Sequence, residues 1–133
     1  MLIAVDFDGT IVEHKYPEIG KEKPFAIDVL KQLAAEGNMV VLWTSREGDL
    51  LDAAIEFCRE RGLEFYAVNS EVPGDSLFSK FASKRRKISA DVYIDDHNLG
   101  GLPDWGEIYE MITRKRYERR VRRSRHWNPF RRK

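Results

Sequence analysis

Two aspartates separated by one residue, Asp6 and Asp8 in LIAVDFDGT, follow an apolar run. A second acidic pair, Asp95-Asp96, ends another such run in ADVYIDD. Carboxylates beside a core are costly unless a positive group compensates them. Side chains alternate along a strand, so Asp6 and Asp8 can lean one way while Phe7 packs the other. At least three acids then converge, and a cation among them would relieve their mutual repulsion. An all-oxygen site with positions left for water and phosphate favours Mg²⁺. The chemistry that fits is phosphoryl transfer, whose barrier is chiefly the meeting of an anionic nucleophile with an anionic phosphate. A metal and a lysine offset that repulsion. Asp6, with an ordinary carboxyl pKa of about 4, is ionised at neutral pH and needs no base. Asp8 can protonate the departing alcohol and then deprotonate the attacking water. The Thr44 hydroxyl can hold a phosphate oxygen, and Gly9 lets the chain turn tightly so that nearby N–H groups face the phosphate.

These residues have to be carried by some scaffold. LIAVDF and MVVLWT are continuous apolar runs, the pattern of strands buried on both faces of a parallel sheet. EFYAV reads as a shorter third strand and ADVYID as a fourth. Between the first two strands, PFAIDVLKQLAAEG reads as a helix with Pro24 in its first turn. Its apolar face would comprise Phe25, Ala26, Val29, Leu30 and Leu33, and Gly37 would end it. GDLLDAAIEFCRERG is a second helix, with Asp49 as N-cap and Gly62 as its stop. A short helix is expected in SLFSKFASKRR and a long final one in PDWGEIYEMITRKRYERR. The order βαβαβαβα predicts a single Rossmann-like α/β domain, a parallel sheet flanked by helices on both faces. In such sheets ligands gather beyond the carboxyl ends of the strands. Those ends carry Asp6-Phe7-Asp8, Thr44-Ser45-Arg46 and Asp95-Asp96, and Lys84 and Lys87 stand just before the fourth strand.

VDFDGTI, VVLWTS, a lysine and VYIDD, in that order, resemble the haloacid-dehalogenase-like (HAD) phosphohydrolase superfamily over roughly residues 1–112. The resemblance implies Asp6 as nucleophile, carrying an aspartyl-phosphate, and as Mg²⁺ ligand. It implies Asp8 as acid/base with its backbone carbonyl on the metal, and Thr44, with Ser45 beside it, on the phosphate. Asp95 would complete the metal site, and Asp96 would hold bound water or the lysine. The spacing in KISADVYIDD favours Lys87 as that lysine, with Lys84 and then Lys80 as alternatives. Members of the superfamily usually carry a cap domain after the first or third strand. Here about 16 residues separate Asp8 from the first helix, and about 15 lie between the third strand and Lys84. Neither gap holds a domain, so a capless member with an open site is expected. Relatives of that type act on macromolecules, close by oligomerisation, or take small phosphorylated substrates.

Other readings fit less well. A calcium loop counted from Asp6 would need glycine where Ile11 stands and glutamate where Pro17 stands. A receiver-type signalling domain also uses a parallel sheet, acids, a hydroxyl and a lysine. Its acidic pair follows the first strand and its phospho-acceptor the third, whereas here the third strand ends in AVNS. Arg46 and His97 stand at the expected mouth as candidate specificity residues, with His14, Lys15 and Tyr16 in the first loop. Trp105 reads as a packing residue anchoring the last helix.

The net charge of +1 hides an asymmetry. Arg114–Lys133 holds 11 Lys and Arg against Glu118 alone, a charge of +10, which leaves −9 on residues 1–113. The division expected is therefore a catalytic core over 1–113 and a basic, aromatic-containing helix end and tail over 114–133. The tail's arginines with Tyr117, Trp127 and Phe130 suit nucleic acid. The −9 of the body favours the other reading, in which they solvate the last helix and pair with the acidic body of the same or a neighbouring subunit, which leaves a homo-oligomer open. The lone Cys58 lies on a helical face with Leu51, Ala54 and Ile55, as a buried structural thiol would. One cysteine excludes an internal disulfide framework, and no secretory or membrane segment is visible, so a cytoplasmic setting is expected. Together the expectations are a Mg²⁺-dependent phosphomonoester hydrolase for a small phosphorylated metabolite, sugar or nucleotide. The alternative substrate is a nucleic-acid end or another macromolecule.

Overall fold

The structure, a computed structural model, describes residues 1–72 and 88–126, with side chains in the last stretch through Arg122. Four short strands form one parallel sheet: β1 (Leu2–Val5), β2 (Met39–Leu42), β3 (Ala67–Val68) and β4 (Val92–Ile94), in the order β3-β2-β1-β4. The register pairs Ile3 with Val40 and Val92, and Val5 with Leu42 and Ile94. Strand alternation sends Ile3, Val5, Val40, Leu42 and Ile94 into one large core. Ala4, Val41 and Ala67 face the other way and meet Ile88, with Trp43 against Tyr93 at 5.5 Å between ring centres. The chain is an α/β protein built on a central parallel sheet, as its apolar runs lead one to expect.

Three helices, α1 (Ala26–Ala35), α2 (Gly48–Glu60) and α3 (Trp105–His126), contribute to the large core. The expected short helix in SLFSKFASKRR falls within 73–87, outside the described residues. Both α1 and α2 end in the same way. Asn38 N–H reaches back to the Leu33 carbonyl and Gly37 N–H to Ala34; Leu63 reaches back to Cys58 and Gly62 to Arg59. These paired bonds satisfy carbonyls that the helix leaves open.

Several boundaries differ from expectation. Phe25 is not on the buried face: it precedes α1 in a left-handed conformation (φ 65°) and is 69% exposed. A residue out of helical phase does not share the stripe of Ala26, Ile27, Leu30 and Leu33, and Pro24 accordingly lies before the helix. Glu47, extended, takes the cap position of α2, and Asp49 lies in its first turn. Strand β3 is two residues long because its pairing with β2 covers only Val41 and Leu42. Helix α3 runs unbroken through 113/114, as the long final helix read from the sequence does. Cys58 is fully buried, and burial pushes its thiol up to about 12. No described helix is long and apolar enough to cross a membrane.

Candidate active site

The acidic residues follow the carboxyl ends of two neighbouring strands, central β1 and edge β4. Asp6 continues β1 by one residue, its N–H donating to the Ile94 carbonyl at 3.0 Å. Phe7 turns into the core, edge-on to Phe57 at 6.0 Å, and leaves Asp6 and Asp8 on the outer side, both half-buried. The chain then folds back on itself, with the Phe7 carbonyl accepting N–H groups of Thr10, Ile11 and Val12 at 3.2, 2.9 and 3.3 Å.

Gly9 occupies the tightest point, at φ 82°. A Cβ there would lie 2.2 Å from Asp96 Oδ2, so glycine is required both by the backbone and by the carboxylate packed on it. Its N–H donates to the Val12 carbonyl at 2.8 Å. Gly9 thus makes the tight turn expected of it and admits Asp96, while its own N–H is taken up by the Val12 carbonyl.

Thr10, to which no role was assigned from sequence, joins the two acidic segments. It is fully buried, its Oγ1 lies 3.4 Å from both Asp6 Oδ2 and Asp96 Oδ1, and it accepts the Asp96 N–H at 3.1 Å. Trp105 secures the same turn from behind, donating its Nε1–H to the Thr10 carbonyl at 3.1 Å in the interior. The aspartates of β1 and β4 are thus neighbours. Burial first, then the negative charges of Asp95, Asp96 and Asp8, push the Asp6 carboxyl up to about 7, against partial relief from the Phe7 N–H. The ordinary carboxyl expected at this position is not what the fold provides.

Arg46 departs furthest from expectation. It is not at the mouth but completely buried. Its Nε and Nη2 donate to Asp8 Oδ2 and Oδ1, both at 2.7 Å. Its Nη1 donates to the carbonyls of Pro17 (3.2 Å) and Leu50 (3.3 Å), and Nη2 to that of Glu18 (3.0 Å). All five guanidinium donors are therefore used. The Phe7 and Tyr16 rings each lie 5.2 Å from the guanidinium carbon. This cluster ties Asp8, the first loop and the start of α2 into one unit.

Thr44 is buried at the end of β2, its Oγ1 accepting the Arg46 N–H at 3.1 Å. Its own N–H donates to Asn69 Oδ1 at 2.8 Å; Asn69, left-handed at φ 52°, follows β3 and was also passed over in the sequence. Ser45 is exposed. The Asp95 carboxylate accepts the His97 N–H at 2.9 Å, while the His97 ring, 82% exposed, lies 3.8 Å from Asp96 Oδ1. One ligand atom from each of Asp95, Asp96 and His97 can be chosen within 4.8 Å of the others. Lys80, Lys84 and Lys87 lie outside the described residues.

What the fold and site define is an α/β protein with an acidic cluster at the carboxyl rim of its parallel sheet. No family model and no curated protein matches the chain. Among solved structures it is similar to a conserved protein of Bacteroides thetaiotaomicron, with 59% identity and a TM-score of 0.78 over 86% of this chain and 91% of that one. The chain belongs to the same family as that protein.

Proposed function

We propose that the chain is a phosphomonoester hydrolase of the HAD type, with Asp6 as the nucleophile. The observation that carries this reading is the gathering of Asp6, Asp8, Asp95 and Asp96 at two strand ends, where burial first and the neighbouring carboxylates second push the Asp6 carboxyl up to about 7. Evolved folds rarely keep such a charge cluster beside a core unless function needs it. The donors are hard oxygens, which suits Mg²⁺ held by Asp6, Asp95 and the Asp8 segment. When bound, the ion supplies positive charge against the phosphate oxygens.

In this proposal an Asp6 carboxylate oxygen attacks phosphorus, the alcohol leaves, and water later cleaves the acyl phosphate. Asp8 moves the proton, to the alcohol in the first half and from the water in the second. Each carboxyl oxygen offers two lone pairs, so the Arg46 pair leaves one on each oxygen for this task and holds them in place. Thr44 presents its hydroxyl proton to a phosphate oxygen, and Thr10 keeps Asp6 and Asp96 in register. In the first loop the Pro17 and Glu18 carbonyls and the Tyr16 ring lie against Arg46, and the substrate proposed is a small phosphorylated metabolite, sugar or nucleotide.

The test is phosphate release from a broad panel of phosphomonoesters with and without Mg²⁺. Turnover is expected only with the ion, and Asp6→Asn is expected to abolish it while preserving the fold. Near-wild-type turnover by Asp6→Asn would assign the nucleophile elsewhere.

A further inference from the structure

Helix α3 outlasts its own packing. Trp105, Ile108 and Ile112 are buried, but beyond Ile112 the stripe facing the domain turns to Arg116 and Arg119, both half-buried. The remaining 14 residues extend about 21 Å at 1.5 Å each. Arg119 pairs with Asp91 at 2.6 Å. Arg114, Lys115, Arg120 and Arg122 are exposed and have no acidic partner among the described residues. A cavity of about 370 Å³ lies at this end of the molecule, lined by Met1, Asp91, Arg116, Arg119 and Arg120. Three guanidinium groups and one carboxylate line it, with Glu36 near enough to Arg116 for their charges to interact. Met1 and Asp91 precede β1 and β4, so the cavity opens at the amino rim of the sheet, opposite the aspartates.

We propose that this cavity and the outer face of α3 form a binding site for the phosphate backbone of single-stranded nucleic acid. Excess guanidinium in and beside a concave surface selects a polyanion. Arginine suits phosphate in particular because its planar donors match the oxygens in pairs. Tyr117, 67% exposed, lies three residues from both Arg114 and Arg120 and hence on their side of the helix. An exposed ring among arginines is a platform for an unpaired base. The helix lacks the apolar face that a membrane surface would require, since its large exposed apolar side chains are Met111 and Tyr117 alone among the described residues. The site stands apart from the acidic rim and does not rest on the phosphatase reading.

The experiment is fluorescence anisotropy of a labelled single-stranded oligonucleotide titrated with the full chain at several salt concentrations. The wild type is expected to bind with a log–log salt slope of roughly −3 or steeper, about 0.7 for each phosphate contact. Joint replacement Arg114→Gln, Arg116→Gln, Arg120→Gln and Arg122→Gln spares the Arg119–Asp91 pair. It is expected to flatten the slope by about 2.8, so that a fourfold rise in salt weakens the wild type about 50-fold more than the variant. Tyr117→Ala, at an exposed position where folding is not at stake, is expected to weaken binding about tenfold at every salt concentration without altering the slope. Absence of binding at low salt would overturn the proposal, as would a wild-type slope in the fourfold variant. A salt-sensitive dimer that excludes the oligonucleotide would assign the basic face to the acidic body of a second copy. Tighter binding to anionic vesicles than to the oligonucleotide would assign it to lipid.

Discussion

Replacing Asp6 with asparagine is expected to make the metal-free protein more stable at neutral and alkaline pH. In the fold the Asp6 carboxyl titrates at about 7, against 3.8 for the free side chain. Between those values the folded chain keeps a proton that the unfolded chain has released, so stability falls as pH rises through the window. Below it both states are protonated and Asp6 costs nothing; above it the full penalty is present. At 1.36 kcal/mol per pH unit the upper limit is roughly 4 kcal/mol, and solvent reaching a half-buried carboxylate reduces this to about 2 kcal/mol. For a chain of this size that corresponds to roughly 6–10 °C in Tm. Urea unfolding of wild type and Asp6→Asn from about pH 4 to pH 9 reads the difference directly, and the titrations common to both cancel. The variant is expected to equal the wild type at the acid end, gain steadily to about pH 7, and hold its advantage above. Saturating Mg²⁺ is expected to raise the wild type and leave the variant nearly unmoved. A difference independent of pH, or a wild type more stable at about pH 8 without metal, would refute the electrostatic argument.

Arg46→Met keeps much of the bulk between Phe7 and Tyr16 but strands Asp8 and three carbonyls. It is expected to cost about 3–5 kcal/mol in urea unfolding. Gly9→Ala places a Cβ against Asp96 at a positive φ. A loss of roughly 2–4 kcal/mol is expected, with a smaller Mg²⁺-induced rise in Tm than in the wild type. The Cys58 thiol, held at about 12 by burial, is expected to resist thiol reagents in the folded protein at about pH 8 and to react no faster than the chain opens.

The parts of this molecule legible in its sequence are those written as runs. LIAV and MVVL are apolar on both faces, which only a doubly covered strand tolerates, and the DxD and DD pairs stand where such strands must stop. The site's wiring was not legible. Arg46 follows Thr44 directly, so adjacency placed it at the mouth. Its actual position depends on Pro17, Glu18, Leu50 and Asp8 arriving from three other segments to use every donor it has. Thr10 and Asn69 are single polar residues in turns, without period or repeat, and nothing local shows that one bridges two acids and the other holds the Thr44 N–H. The elevated pKa of Asp6 comes from burial and from Asp95 and Asp96, which are remote in the chain. Phe25 misled because an apolar residue just before a helix looks in phase until a left-handed residue resets it.

Transfer of a phosphoryl group to Asp6 beside a divalent cation can be read by ¹⁹F NMR with beryllofluoride, which mimics a phosphoryl group on a carboxylate. Bound-fluoride resonances are expected that require Mg²⁺ and vanish in Asp6→Asn, while Asp49→Asn, on the exposed first turn of α2, retains them. Resonances that persist in Asp6→Asn, or that form equally well without a divalent ion, would contradict transfer to Asp6.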